Sequence, residues 1–167
     1  HAFYDLASPQ VIIDLDNLVL PRCRFEVVSS YKDKNINLPT RKTSGSAGYD
    51  IEAAEDVIIK PHSSTAVPTG IKAYMDECLV LKIYIRSSLA FKRGLMLTNS
   101  IGIIDSDFFN NEDNEGHILV GLYNTTDNIT GCMHMGYTQS HWFAFKSCFY
   151  HSLGFITCNH LKHFFKL

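Results

Sequence analysis

The sequence lacks any apolar run of the roughly 18 residues that a membrane-crossing helix needs, so no membrane partner is expected. It lacks a surplus of positive charge. Fifteen Lys and Arg against 17 Asp and Glu leave a net charge of −2, which removes the chain-wide field expected of a protein that grips a nucleic-acid polymer. Its opening lacks the basic-then-apolar plan of a secretory signal peptide, and it starts at His1 rather than Met, so a fragment or processed product is expected. No cysteine pair has zinc-ribbon spacing. The five cysteines are an odd number, which fits reduced thiols in a cytoplasmic setting better than a disulfide framework. Internal repeats are also missing. After position 127 the chain has neither an acidic residue nor an arginine.

What is present suits one globular domain: 167 residues, 46% hydrophobic and 19% charged. Residues 24–127 carry short apolar runs at 25–28, 57–59, 65–67, 79–85, 95–97, 101–104 and 118–122. Turn residues break them at Leu38-Pro39, Ser44-Gly45, Lys60-Pro61, Pro68-Thr69-Gly70 and Arg93-Gly94. Runs this short and this often interrupted predict an all-β sandwich or barrel. Leu79, Leu81, Ile83 and Ile85 alternate with Val80, Lys82 and Tyr84, the period of a half-buried strand. One helix is expected, over 87–94, with Ser87 or Ser88 as its cap and Gly94 at its end. Residues 1–23 read as an extension of unknown role, with an apolar run at Val11-Ile12-Ile13. Residues 128–167 read as an atypical, acid-free tail, consistent with a reading-frame change or a foreign end. It holds Phe143, Phe145, Phe149, Phe155, Phe164 and Phe165, six of the 11 phenylalanines, and shows no clean alternation.

Several residues carry chemistry if the fold gathers them. Asp105 follows the apolar Ile101-Gly102-Ile103-Ile104; burial there would raise its basicity and let it take a proton from water. Its plain structural reading is a turn aspartate that ends a strand. Phe108 and Phe109 come next. One ring can stack on a sugar and leave no room for a 2′-hydroxyl, and the other is expected in the core, because strand neighbours face opposite ways. Asn99 offers the donor and acceptor that a pyrimidine edge requires, or it holds its own turn. Arg86-Ser87-Ser88 combines a guanidinium, two hydroxyls and helix-start N–H groups, a set suited to phosphate oxygens; a surface Arg beside a Ser cap is the alternative. Asp50, in Ala47-Gly48-Tyr49-Asp50, can orient a magnesium-bound water or form an Asx-turn. In the tail, Cys158, His160 and His163 complete no four-ligand zinc set.

Taken in order, these motifs resemble the first three of the dUTPase family, from Arg24 to about Asp127. The resemblance is to the branch of Gram-positive bacteria and their phages, through Asn35-Ile36-Asn37-Leu38-Pro39, Val67-Pro68-Thr69-Gly70-Ile71-Lys72 and Asn114-Glu115-Gly116-His117. It implies a jelly-roll-like fold, a homotrimer with sites between subunits, and magnesium-dependent cleavage of dUTP to dUMP and pyrophosphate. It implies that Asp105 is the base for water attack on the α-phosphorus. Arg86 supports the phosphate-binding turn, and Ser87 bonds the triphosphate beside Ser88, where many members have Gly. Asn99, with backbone near Ile103 and Leu119, reads uracil. Phe108 stacks under the deoxyribose in place of the usual Tyr. Asp50 sits near magnesium and sugar, the metal being held by the triphosphate and reached from Asp50 through water.

Two departures qualify the resemblance. The Gly-x-Arg-x-Ala-Gln motif expected near 135–140 is replaced by Met135-Gly136-Tyr137-Thr138-Gln139-Ser140, and the Gly-rich closing motif is missing. A catalytically impaired nucleotide- or protein-binding relative is therefore the alternative. A dCTP deaminase, from the same superfamily, shares Arg-Ser-Ser-Leu-Ala but needs a Glu in the strand ending Tyr123-Asn124, where this chain has Gly121.

Overall fold

The computed structural model of the protein describes residues 22–132 and the strand at 144–151. Every strand pairing among them is antiparallel. In chain order the strands are β1 (Cys23–Val27), β2 (Tyr49–Glu52), β3 (Val57–Ile59), β4 (Ser64–Pro68), β5 (Ile71–Met75), β6 (Leu79–Tyr84), β7 (Leu95–Leu97), β8 (Gly102–Ile104), β9 (Leu119–Asn124), β10 (Thr130–Cys132) and β11 (Ala144–His151). One short helix, α1 (Ser87–Arg93), interrupts them. The architecture is all-β, as the apolar runs predict. The largest sheet runs β2-β11-β6-β8; others run β4-β9-β7, β1-β5 and β10-β3.

The period of two in β6 places its residues as expected. Leu79, Leu81 and Ile83 are buried, while Val80, Lys82 and Tyr84 are half-buried. The same core holds Ile51, Ile59, Val67, Ile71, Leu95, Leu97, Ile118 and Leu122, drawn from every sheet. Removing any of these large side chains would cost about 2–5 kcal/mol, the usual range for a core cavity.

Two elements differ from expectation. The start of α1 is capped by neither Ser87 nor Ser88. Arg86 occupies the cap position in extended conformation without a side-chain cap bond, and both serines fall inside the first turn. Gly94 does end the helix, with φ +61, a left-handed position where Cβ is unfavourable. Second, no strand is expected after Cys132 from the tail's irregular pattern, yet β11 lies between β2 and β6. Phe145 pairs with Ile51, and Phe149 with Leu81. The segment 11–13, the stretch 135–140 and the Cys158/His160/His163 group lie outside the described residues.

The β9 strand ends on a fully buried asparagine, Asn124. Its amide donates to Ile59 O (3.1 Å) and Asn128 O (2.7 Å), and its Oδ1 accepts from Thr126 N (3.0 Å) and Oγ1 (2.8 Å). A buried amide with both ends satisfied fixes the turn at 125–128 against β3.

Candidate functional site

Strand β7 and strand β8 are joined by a tight turn at 98–101, in which Ser100 has φ +65 and Ile101 N donates to Asn99 O (2.7 Å). Strand β8 then pairs with β6, with Gly102 opposite Ile83. A Cβ at Gly102 would come within 3.0 Å of the Ile83 side chain, so glycine lets the two strands approach. Where β8 ends, Asp105 caps a single 3-10 turn, Ser106–Phe108.

This hairpin and strand β9 enclose a pocket of about 270 Å³. Its lining includes Asn99, Ile103, Asp105, Phe108 and Leu119, five of the residues expected from sequence. It also includes Gly121 and, not among the residues expected from sequence, Asp107. The Asp-Ser-Asp spacing around one 3-10 turn was the available signal for Asp107. Gly121 leaves the β9 wall without the carboxylate that deamination would require.

Asp105 departs from its expected setting. Within one chain its side chain is exposed rather than buried, because β8 stops at Ile104 and the aspartate stands at the pocket mouth. It makes no side-chain capping bond to the turn it opens. The rim beside it is apolar and half bare, with Ile103 50% and Leu119 49% exposed.

The two phenylalanines divide, but not with one in the core: Phe109 is half-buried and packs among polar neighbours outside the main core. Phe108 lines the pocket. Phe109 packs edge-on to Tyr74 (centroids 5.6 Å apart), under the cations of Arg24 (5.7 Å) and Lys72 (5.1 Å).

The remaining expected residues form a second group, and none of them lines the pocket. Arg86 Nη1 lies 3.6 Å from Asp50 Oδ2, with the two side chains 30% and 16% exposed. Asp50 is held from behind, since its N–H donates to Thr40 O (3.0 Å). Ser87 and Ser88 follow Arg86 in the first turn of α1, where backbone N–H groups have no intrahelical acceptor. This half of the site carries an anion-binding inventory. The pocket half carries an apolar slot, an amide, an aromatic ring and two carboxylates.

The described residues contain no group of three or more His, Cys, Asp or Glu able to hold a metal ion. A single carboxylate at Asp50 suits a cation that arrives with its own phosphate and water ligands. None of the described helices is long and apolar enough to cross a membrane.

Comparison with known proteins agrees with this inventory. The dUTPase family model matches residues 34–130. The deoxyuridine 5′-triphosphate nucleotidohydrolase of Lactococcus lactis subsp. lactis is 54% identical over 103 residues, covering 62% of this chain and 69% of that protein. The Escherichia coli O45:K1 protein of the same name is 39% identical over 101 residues, covering 58% and 63%. The chain thus spans about two thirds of the length of such relatives. In three dimensions it matches the dUTPase of Streptococcus mutans with a TM-score of 0.69 at 39% identity, over 77% of this chain and 94% of that one. The dUTPase of Staphylococcus bacteriophage 80alpha shares the fold, with a TM-score of 0.60 at 18% identity, over 78% and 90%. The chain belongs to the dUTPase family, and its jelly-roll-like β fold is that family's.

Proposed function

We propose that this chain hydrolyses dUTP to dUMP and pyrophosphate, with the pocket between β8 and β9 taking the deoxyuridine. The observation that carries this reading is the convergence of Asn99, Ile103, Asp105, Phe108 and Leu119 on one cavity from separate elements. Asn99 meets the uracil edge with its amide, beside the backbone of Ile103 and Leu119. The base covers the bare Ile103 and Leu119 rim. The Phe108 ring lies under the deoxyribose, where a 2′-hydroxyl would collide with it. Asp105 takes a proton from a water; that water's oxygen bonds to the α-phosphorus as the bond to the bridging oxygen breaks and pyrophosphate leaves. Arg86, Ser87 and Ser88 neutralise and orient the triphosphate, as phosphoryl transfer requires. Magnesium bound to the triphosphate supplies further charge neutralisation, with Asp50 placed to hold one of its waters.

In one chain the Arg86 turn does not line the pocket. A homotrimer that sets one subunit's Arg86, Ser87 and Ser88 against its neighbour's pocket joins the two halves, and it covers the exposed Asp105. Burial of Asp105 would then come from assembly, not from its own hairpin. The reading places the enzyme in the cytoplasm, with dUTP as its substrate partner. It is tested by pyrophosphate release from dUTP with magnesium, beside dCTP, dTTP and UTP. Release from dUTP alone is expected; equal release from UTP, or none from dUTP, would overturn it. Light scattering should give a mass three times that of the chain.

A further inference from the structure

Strand β5 carries a lysine inside the protein. Lys72 is 7% exposed, and its ammonium sits between two residues far along the chain. Nζ donates to Asn110 Oδ1 at 2.6 Å and to Glu115 Oε1 at 2.5 Å, and stands 5.1 Å from the Phe109 ring centroid. Glu115 is anchored on its other oxygen, which accepts from Ser29 N (2.9 Å). These bonds to the charged form hold its carboxyl down at about 2.

Asn110 and Glu115 are the two ends of one loop. Asn110 N donates to Glu115 O (3.3 Å), closing it. Both ends are left-handed, with φ +57 at Asn110 and +63 at Glu115, followed by +78 at Gly116. Non-glycine residues hold such conformations only where their surroundings impose them. The loop is tied directly to the pocket. Phe108 O accepts from Asn111 Nδ2 (2.9 Å) and Asn111 N (3.4 Å), and a Cβ on Gly116 would reach within 2.6 Å of that same oxygen. Phe108, which lines the pocket, is therefore hydrogen-bonded to the loop that Lys72 clamps, two residues before that loop begins.

We propose that Lys72 is a positioning residue for sugar selection: by clamping Asn110 and Glu115 it fixes the loop that sets the Phe108 ring against the sugar. It touches neither substrate nor reacting atoms. The proposal rests on the dUTP reading. An ammonium is suited to the task because it presents three donors to acceptors from both loop ends, and burial makes each bond short and costly to break.

The test compares kcat/KM for dUTP and UTP in the unaltered chain, Lys72→Met, Asn110→Gly and Phe108→Ala. Phe108→Ala sets the scale of lost discrimination. Lys72→Met keeps the stem and removes the ammonium, and it should narrow the dUTP/UTP ratio at least tenfold, chiefly by raising turnover of UTP relative to dUTP. Asn110→Gly removes one arm at an exposed loop position, accepts the positive φ there, and leaves the Lys72–Glu115 pair in place, so it decides the matter if Lys72→Met does not fold. It should narrow the ratio several-fold. A purely structural role would lower both substrates together. Folded variants with an unchanged ratio would overturn the proposal while leaving the dUTP reading intact. Absence of dUTP turnover by the unaltered chain would remove that reading and the proposal with it.

Discussion

Arg86 reaches the Asp50 carboxylate at 3.6 Å although their strands are not neighbours; β11 runs between β2, which carries Asp50, and β6, which leads into Arg86. Adjacent strands lie about 4.8 Å apart, so the pair spans two strand spacings, and a long guanidinium side chain is what makes that possible. The pair holds the proposed phosphate end in shape before substrate arrives.

Replacing Arg86 should therefore act twice. Arg86→Lys keeps a charge but loses the planar fork. It should raise KM for dUTP about tenfold with little change in melting temperature. Arg86→Ala also leaves Asp50 unpaired at 16% exposure, and should lower stability as well, by less than the ~3–5 kcal/mol of breaking a fully buried pair. Steady-state kinetics and thermal melts check both. A normal KM in Arg86→Lys would remove Arg86 from the phosphate site.

Asp105→Asn keeps the shape and removes the base. Turnover should fall by about 10²–10⁴-fold, the usual weight of a general base, with dUTP binding retained. Calorimetric binding of a non-hydrolysable dUTP analogue, set beside pyrophosphate release, separates the two. If the variant turns over normally, water activation belongs to another group, and Asp107 on the same pocket wall is the first to examine.

The strands that could be read from sequence were those whose pattern is local. The alternation of Leu79, Leu81 and Ile83, the short run at Leu95–Leu97 and the stop at Gly94 all stand where the sequence put them. Strand β5 was not legible, because Ile-Lys-Ala-Tyr-Met places a charge on a buried position. That charge is satisfied by Asn110 and Glu115, 38 and 43 residues away. Strand β2 is not legible either, since its short Tyr49–Glu52 run alternates too briefly to declare itself and reads as a turn. At the pocket, residue types singled out Asn99, Asp105 and Phe108, while Ile103 and Leu119 were reached only through the family resemblance. The exposure of Asp105 could not be read, because its cover is not within its own hairpin.

Acid should unfold the protein in two stages. His117 Nε2 accepts the Gly70 N–H at 2.9 Å, so the neutral ring is the native one, and burial lowers its affinity for a proton from the ordinary 6.5. A depressed folded value gives stability that is complete above 6.5 and is lost as pH falls below it. Glu115, lowered from 4.5 to about 2 by Lys72 and the Ser29 N–H, adds stability that is lost between those two values. Melting temperature should thus begin to fall below pH 6.5 and fall more steeply below pH 4.5. His117→Gln should flatten the first limb and Glu115→Gln the second. A wild-type melting temperature constant from pH 7 to 5 would rule out the role given to His117.

Residues 129–167 give the sharpest contrast between sequence and structure. Composition alone marks them as foreign, and a foreign tail could be removed with no loss. In the structure β10 pairs with β3, and among the described residues β11 is the one strand paired with β2 in its sheet, while also pairing with β6 along six residues. Cutting the chain after Asn128 would strip β2 of that ladder and leave backbone donors and acceptors of β2 and β6 without their β11 partners. Each such group that stays buried and unpaired costs about 1–3 kcal/mol, against a total stability of about 5–15 kcal/mol for a domain. The truncated chain should fail to give a cooperative melt and should release no pyrophosphate from dUTP. A milder probe acts on the backbone: Ser147→Pro removes a ladder donor in the middle of β11, a position that sheets do not tolerate. It should lower the melting temperature by several degrees at least. If the truncated chain melts cooperatively at the full-length temperature and turns over dUTP, β11 is dispensable and the tail is an appendage after all.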